Sequence, residues 1–208
     1  MPHVDPQVQA VWDERYAEQE RMWSGNPNGA LVAETAGLTP GRALDVGCGE
    51  GADAVWLAAQ GWQVTALDVS AVALDRARAH AGDAAITWLH SGLVDAGLPR
   101  GAFDLVSACY PVLDRTASQT AEHLLLELVA PGGALLFVHH AGMDSHDHHD
   151  SPFDPKDFVW PSMVTPLLDD DWEVLVDERR PRVVPDGGAG AHHVDDLVLV
   201  ARRRRLAG

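Results

Sequence analysis

The segment ALDVGCGEGADAVWLAAQGWQVTALDVS, Ala43–Ser70, narrows the possible folds more than any other part of the chain. An apolar strand runs into Gly47, Gly49 and Gly51, and a helical pattern follows at once. A second apolar strand then ends in Asp68. Glycines let a backbone turn sharply and approach a ligand closely. A helix opening on such a turn offers free N–H groups and the positive end of its dipole. A carboxylate closing the next strand can accept both hydroxyls of a ribose. Asp45, at the end of the first strand, can orient water or an ammonium group. The segment therefore predicts a βαβ unit that holds a ligand with a ribose and a polar or anionic tail.

The same alternation runs on through the chain. Strands are predicted at 42–46, 63–69, 85–90, 103–109 and 134–138, with helices at 52–60, 70–80 and 117–129 between them. Short apolar strands separated by helices mark a buried parallel sheet. Pro131-Gly132-Gly133 reads as the stop of the last of these helices. Beyond it, Pro152, Pro155, Pro161 and Pro166 allow only broken helical turns. Strands at 172–179 and 195–202 have no crossover helix between them and should pair antiparallel. The expected fold is α/β: a Rossmann-like, doubly wound seven-stranded sheet, mostly parallel with an antiparallel last strand. One domain is expected over 1–208. It comprises an N-terminal helical arm at 1–40, a ligand-binding core at 41–140, a loop region at 141–171 and a strand pair at 172–208. In the arm, Asp5-Pro6 reads as N-cap and N1 of a first helix, with Trp12 and Tyr16 one turn apart. Asn28 reads as the cap of a second helix ending near Thr35.

Acidic side chains number 31 against 15 basic, a formal charge of −16, and such a surface repels phosphate backbones. No nucleic-acid partner is expected. Cys48 and Cys109 lie in separate apolar runs and suggest neither a disulfide framework nor a zinc site. The start MPHVDPQVQA has neither the basic nor the apolar region of a signal peptide, and no apolar run is long enough to span a bilayer. A cytoplasmic protein without a membrane partner is expected, and the sequence leaves its oligomeric state open.

Gly47-x-Gly49-x-x-Ala52 formally fits a dinucleotide-binding pattern, which would make the chain an NAD(P)-dependent oxidoreductase. No second mononucleotide-binding half follows, however. Asp45, Gly47, Gly49 and Gly51 together match the acidic-x-Gly-x-Gly-x-Gly motif that resembles motif I of the class I S-adenosylmethionine-dependent methyltransferases. FDLVSA and LLLELVAPGGALLFV resemble later parts of that fold. Trp12-Asp13-Glu14-Arg15-Tyr16, with Trp23 and Asn28, is similar to small-molecule members of the thiopurine and tellurite-resistance type, in which the arm covers the cofactor as a lid.

The resemblance implies S-adenosylmethionine as cofactor and S-adenosylhomocysteine as product. It places the cofactor against Trp23, Asn28, Asp45, Gly47, Cys48, Gly49, Gly51, Asp53, Asp68, Val69, Ser70 and Cys109. The family often carries an acidic residue near the adenine amino group, where this chain has Gly92. Backbone groups of Gly92 and Leu93 could serve instead, or Asp95 could. The implied reaction is in-line methyl transfer to a small-molecule acceptor, a thiol or chalcogen, or else a hydroxyl or amine. A cofactor-binding module without turnover is the alternative from another class.

Ligands of open α/β sheets sit outside the carboxyl ends of the strands. That rule selects Tyr110, His139 and His140 for the acceptor side, joined by Trp12 and Tyr16 from the arm. His139 and His140 are the candidate catalytic bases. They open the run HHAGMDSHDHHD, His139–Asp150, in which Asp144, His146, Asp147, His148, His149 and Asp150 could in principle ligate a metal. Their spacing is too dense for one defined ion site, and a glycine-containing loop pre-organises little. No metal is assigned; a polar loop bordering the acceptor pocket is expected. His192 and His193 read as solvated loop residues.

Overall fold

The structure, a computed structural model, describes residues 6–142, 154–182 and 193–205. Asp5, His192 and the remainder of the histidine run from residue 143 to Asp150 lie outside them. Seven strands form one sheet: β1 (Arg42–Val46), β2 (Gln63–Asp68), β3 (Ile86–His90), β4 (Phe103–Cys109), β5 (Val129–His140), β6 (Trp172–Pro181) and β7 (Asp195–Arg203). Their order is β3-β2-β1-β4-β5-β7-β6. β7 runs antiparallel between β5 and β6, and every other pairing is parallel. The expected fold is the observed one.

The continuous apolar runs follow from burial on both faces. Leu44, Val106, Leu135 and Phe137 pack into one core cluster, while Ala43, Leu105, Leu136 and Val138 pack into the other. Successive side chains of a strand point to opposite faces, so a strand covered on both sides has no polar alternation. Helices α3 (Ala52–Ala59), α4 (Ala71–Ala81) and α5 (Thr120–Glu127) supply the crossovers.

Two boundaries differ from expectation. Pro131-Gly132-Gly133 does not end a helix; it lies inside β5, where the register against β4 shifts between Phe103 and Leu105. Proline lacks a ladder donor and is accommodated at such a bulge. The crossover helix is correspondingly short, and it starts only after Gln119, whose φ is +50°.

The arm is α1 (Pro6–Ala17) and α2 (Gly29–Thr35). Broken turns fill the stretch before β6 as expected: 3-10 turns at Pro155–Asp157 and Thr165–Leu167 flank α6 (Pro161–Val164). Among the described residues, no helix is long and apolar enough to cross a membrane.

Candidate functional site

A cleft opens at the carboxyl ends of β1, β2 and β4, where the strand-end rule places ligands. Gly47, Cys48 and Gly49 form its floor, and the arm forms its roof. Asp68 shapes the turn from below. Its Oδ2 accepts from the Gly49 N–H at 2.8 Å and its Oδ1 from the Ser70 N–H at 2.8 Å. A Cβ on Gly49 would lie 2.9 Å from Tyr16 Oη and 3.3 Å from Trp23 Nε1, so only glycine lets the aromatic roof come this close. Trp23 Nε1 donates to Tyr16 Oη at 3.0 Å, which joins the two rings.

Three polar fastenings hold the arm down. Asp13 Oδ1 accepts from Ser70 Oγ at 2.6 Å and from the Val72 N–H at 3.1 Å, at the start of α4. Burial pushes the Asp13 carboxyl up, but these bonds outweigh it and hold the group below its ordinary value. Glu50 accepts from the backbone N–H groups of Met22 and Trp23 and pairs with Arg76 Nη1 at 2.9 Å. Asn28 binds Asp53 through both its backbone and its side chain. Asn28 stands at the N-cap of α2 but does not cap it with its side chain. That expectation is corrected: its amide is engaged by Asp53 instead.

The electrostatics of the cleft are unusual. Asp45, Asp53 and Asp68 are 2%, 6% and 7% exposed, and all three line it. Among the described residues none of them pairs with a lysine or arginine. Burial raises the Asp45 carboxyl well above its ordinary range, and Asp53 and Asp68 add to the shift. Asp53 and Asp68 are raised chiefly by burial too, against the hydrogen bonds they accept. Among the described residues, Asp45 Oδ2 accepts no hydrogen bond. A buried acceptor without a donor is costly. A cationic or donor-rich ligand would relieve the whole group. Burial also raises both thiols, Cys48 and Cys109, so each stays protonated at neutral pH and neither is a ready nucleophile.

Of the residues singled out from sequence, Trp12, Tyr16, Trp23, Asn28, Asp45, Gly47, Cys48, Gly49, Asp53, Asp68, Val69, Gly92, Leu93, Cys109, Tyr110 and His140 all line the cleft. Three do not. Ser70 is fully buried and caps α4, accepting from the Ala73 N–H at 3.1 Å. Gly51 packs beneath the loop, where a Cβ would come within 2.9 Å of Ala77 Cβ. His139 turns away from the cleft and against Trp160, at 4.0 Å between ring centroids. Its Nδ1 accepts from the His140 N–H at 3.0 Å. Burial first, then His140 and His193, pushes its pKa down to about 3. His139 thus packs outside the lining of the cleft, which differs from its expected place on the acceptor side. Asp95 is exposed and does not line the cleft, which leaves Gly92 and Leu93 at that end.

Sequence reasoning missed the far wall. His193 is half-buried, and its ring stacks on His140 at 4.2 Å, a correction to its reading as solvated. Asp196 is 3% exposed and accepts from Tyr110 Oη at 2.9 Å. Arg182 lines the cleft with its guanidinium over the Tyr110 ring, 5.0 Å from the centroid.

Residues 43–133 match the methyltransferase domain family. An uncharacterized methyltransferase of Mycobacterium tuberculosis is 37% identical over 120 residues, 57% of this chain and 61% of that protein. Over its βαβ core and the strands that follow, the chain is similar to methyltransferase domains. Its alignment spans less than two thirds of that relative's length. Two solved structures share the fold across nearly the whole chain. One, described as the conversion of a disulfide bond into a thioacetal group during echinomycin biosynthesis, has a TM-score of 0.72 at 22% identity, covering 97% of this chain and 94% of that one. The other is the N-methyltransferase NodS of Bradyrhizobium japonicum in complex with S-adenosyl-L-homocysteine. Its TM-score is 0.70 at 21% identity, covering 96% of this chain and 99% of that one.

Proposed function

We propose that this chain moves the methyl group of S-adenosylmethionine to a small-molecule acceptor and releases S-adenosylhomocysteine. The observation that carries this reading is Asp45: a buried carboxyl oxygen without a donor among the described residues, beside two further buried carboxyls, in a cleft floored by Gly47–Gly49. S-adenosylmethionine supplies an activated methyl on a positive sulfonium, together with an α-ammonium and a ribose. Asp45 receives the ammonium. Asp68, already oriented by the Gly49 and Ser70 N–H groups, takes the ribose hydroxyls. Gly92 and Leu93 border the base. Tyr16 and Trp23 close the roof and keep water from the reacting centre.

Much of the rate comes from alignment, since holding two reactants in line removes most of the entropic part of the barrier. The acceptor enters the side bounded by Trp12, Tyr110, His140 and Arg182. The formal charge of −16 supports a small molecule over a nucleic acid. The test is calorimetric titration of S-adenosylhomocysteine, followed by a scan for its release with thiol and phenol acceptors. One-to-one binding with turnover supports the reading. Binding with no turnover on any acceptor favours a cofactor-binding module. No binding, with NADH bound instead, favours the oxidoreductase.

A further inference from the structure

We infer that a second cavity, separate from the cleft, binds a small zwitterion of the amino-acid class, a ligand that carries an ammonium and a carboxylate together. The cavity lies between the loop before α5 and the 3-10 turn at Pro155–Asp157, and its volume is about 380 Å³. It shares no lining residue with the cleft. Ligand pockets begin at about 300 Å³, so the space suits a small molecule.

Glu122 lines this cavity and is only 1% exposed. Among the described residues its Oε2 accepts no hydrogen bond, and no lysine or arginine pairs with its carboxyl. A buried acceptor left without a donor is costly and calls for an explanation. Helix capping does not supply one. Glu122 is the third residue of α5, a position from which a glutamate commonly reaches back to the N–H of the capping residue. Here that residue is Gln119, and its N–H already donates to the Thr116 carbonyl at 3.1 Å. The next N–H, that of Thr120, goes to Thr116 Oγ1 at 3.3 Å. The turn before α5 satisfies itself, which leaves the Glu122 carboxyl for a donor from elsewhere. The last torsion of a glutamate is soft, so either oxygen can turn to the cavity.

Arg115 and Lys156 line the same cavity and are exposed. Among the described residues neither forms an ion pair, in a chain with 31 acidic side chains. One space is therefore bounded by a buried acceptor within and by two cations near its mouth, and these groups do not satisfy each other. A lone anion would meet Glu122 and Asp157, and a lone cation would meet Arg115 and Lys156. A ligand with both charges answers both ends. Its ammonium donates to Glu122, and its carboxylate accepts charge-assisted bonds from Arg115 and Lys156. Ala117 and Met163 are the apolar lining, so the rest of the ligand is small. The walls are set before a ligand arrives. The Arg115 N–H donates to the Asp157 carbonyl at 2.7 Å, the Val159 N–H donates to the Leu113 carbonyl at 2.9 Å, and Asp114 bridges Phe158 antiparallel. The two segments that carry the cations are thus joined, which lowers the ordering cost of binding.

Calorimetry on the full chain tests the site. The probes are the common free L-amino acids, one at a time, with methylamine and acetate as controls that carry one charge each. At least one amino acid should bind one-to-one and more tightly than either control. Its binding should persist when the protein is saturated with S-adenosylhomocysteine, because the two spaces share no wall. Glu122→Gln and Arg115→Ala should each weaken it about tenfold or more, since a charge-assisted bond is lost, and should leave the affinity for S-adenosylhomocysteine unchanged. Arg115 is exposed, so its variant judges the site even if Glu122→Gln fails to fold. Binding of no amino acid overturns the proposal. So does methylamine or acetate binding as tightly as any amino acid. Amino-acid binding that S-adenosylhomocysteine displaces, or that Arg115→Ala leaves unchanged, overturns it too. Failure of the wild type to bind S-adenosylhomocysteine strikes the methyl-transfer reading instead, and the amino-acid titrations without it still judge the cavity.

Discussion

Asn28 grips both oxygens of the Asp53 carboxylate. Its backbone N–H donates to Oδ1 at 2.7 Å and its side-chain Nδ2 donates to Oδ2 at 2.7 Å. This clasp ties the end of the arm to the first turn of α3, beside the glycine loop. Asn28→Ala keeps the backbone bond and leaves Oδ2 without its donor, which costs about 1–3 kcal/mol for a buried group. Limited proteolysis should then cut the arm faster, and S-adenosylhomocysteine should bind about tenfold more weakly in calorimetry. Unchanged cutting and affinity would mean that Asp13 and Glu50 suffice to hold the arm.

Asp45 is a residue whose loss should help stability and harm function. Burial, then Asp53 and Asp68, hold its carboxyl raised, so the folded protein strains to keep it ionised. Asp45→Asn removes that repulsion, and the melting temperature should rise, by an amount equivalent to about 1–2 kcal/mol. Affinity for S-adenosylhomocysteine should fall at least tenfold, because an amide cannot pair with an ammonium. The sign with pH is fixed as well. A raised carboxyl must lose its proton to bind a cation, so wild-type affinity weakens as pH falls, and Asp45→Asn should flatten that dependence. Tighter binding by the variant would remove Asp45 from the ammonium site.

The cofactor end of the cleft was legible because its signals are local. Glycine spacing and the terminal carboxylates Asp45 and Asp68 all sit within one βαβ unit. Glu50 was not legible. It occupies a position between two glycines that the motif leaves unspecified, yet it holds Met22 and Trp23 from the arm and Arg76 from α4. The far wall was illegible for a similar reason. Asp196 meets His140 only through the antiparallel register of β5 and β7. A slip of one residue would send it to the other face of the sheet. Ser70 and Gly51 looked like ligand contacts because they flank the loop; one caps α4 and the other makes room for Ala77 and Trp88.

Gly51 and Gly92 should therefore respond differently to the same substitution. Gly51 has φ +83°, and a Cβ would meet Ala77 Cβ and the Trp88 ring at 2.9 Å. Gly51→Ala should destabilise by about 1–3 kcal/mol through strain and overpacking. The nearest atoms to a Cβ at Gly92 are 3.8 Å away. Gly92→Ala should fold with near wild-type stability and change only the affinity for S-adenosylhomocysteine. Urea denaturation beside calorimetry separates the two. Equal stability of the variants would show that the loop yields to a methyl group beneath it.

His139 gives the fold a pH dependence of known sign. Its pKa is about 3 when folded, lowered first by burial and then by His140 and His193, against 6.5 for an ordinary histidine. Between those values the unfolded chain binds a proton that the folded chain refuses. Stability is therefore full above about pH 6.5 and falls as pH drops toward 3, by up to about 1.4 kcal/mol per pH unit from this one group. The buried carboxyls act in the opposite sense, because a raised pKa favours the folded state at low pH. The contribution of His139 must accordingly be read by difference. His139→Asn places an oxygen near the acceptor position of Nδ1 and removes the titration. Urea midpoints measured from pH 7.5 to 5 should fall less steeply for His139→Asn than for the wild type. Parallel slopes would mean that His139 takes up its proton inside the folded protein, which its burial and the His140 N–H donated to its Nδ1 oppose.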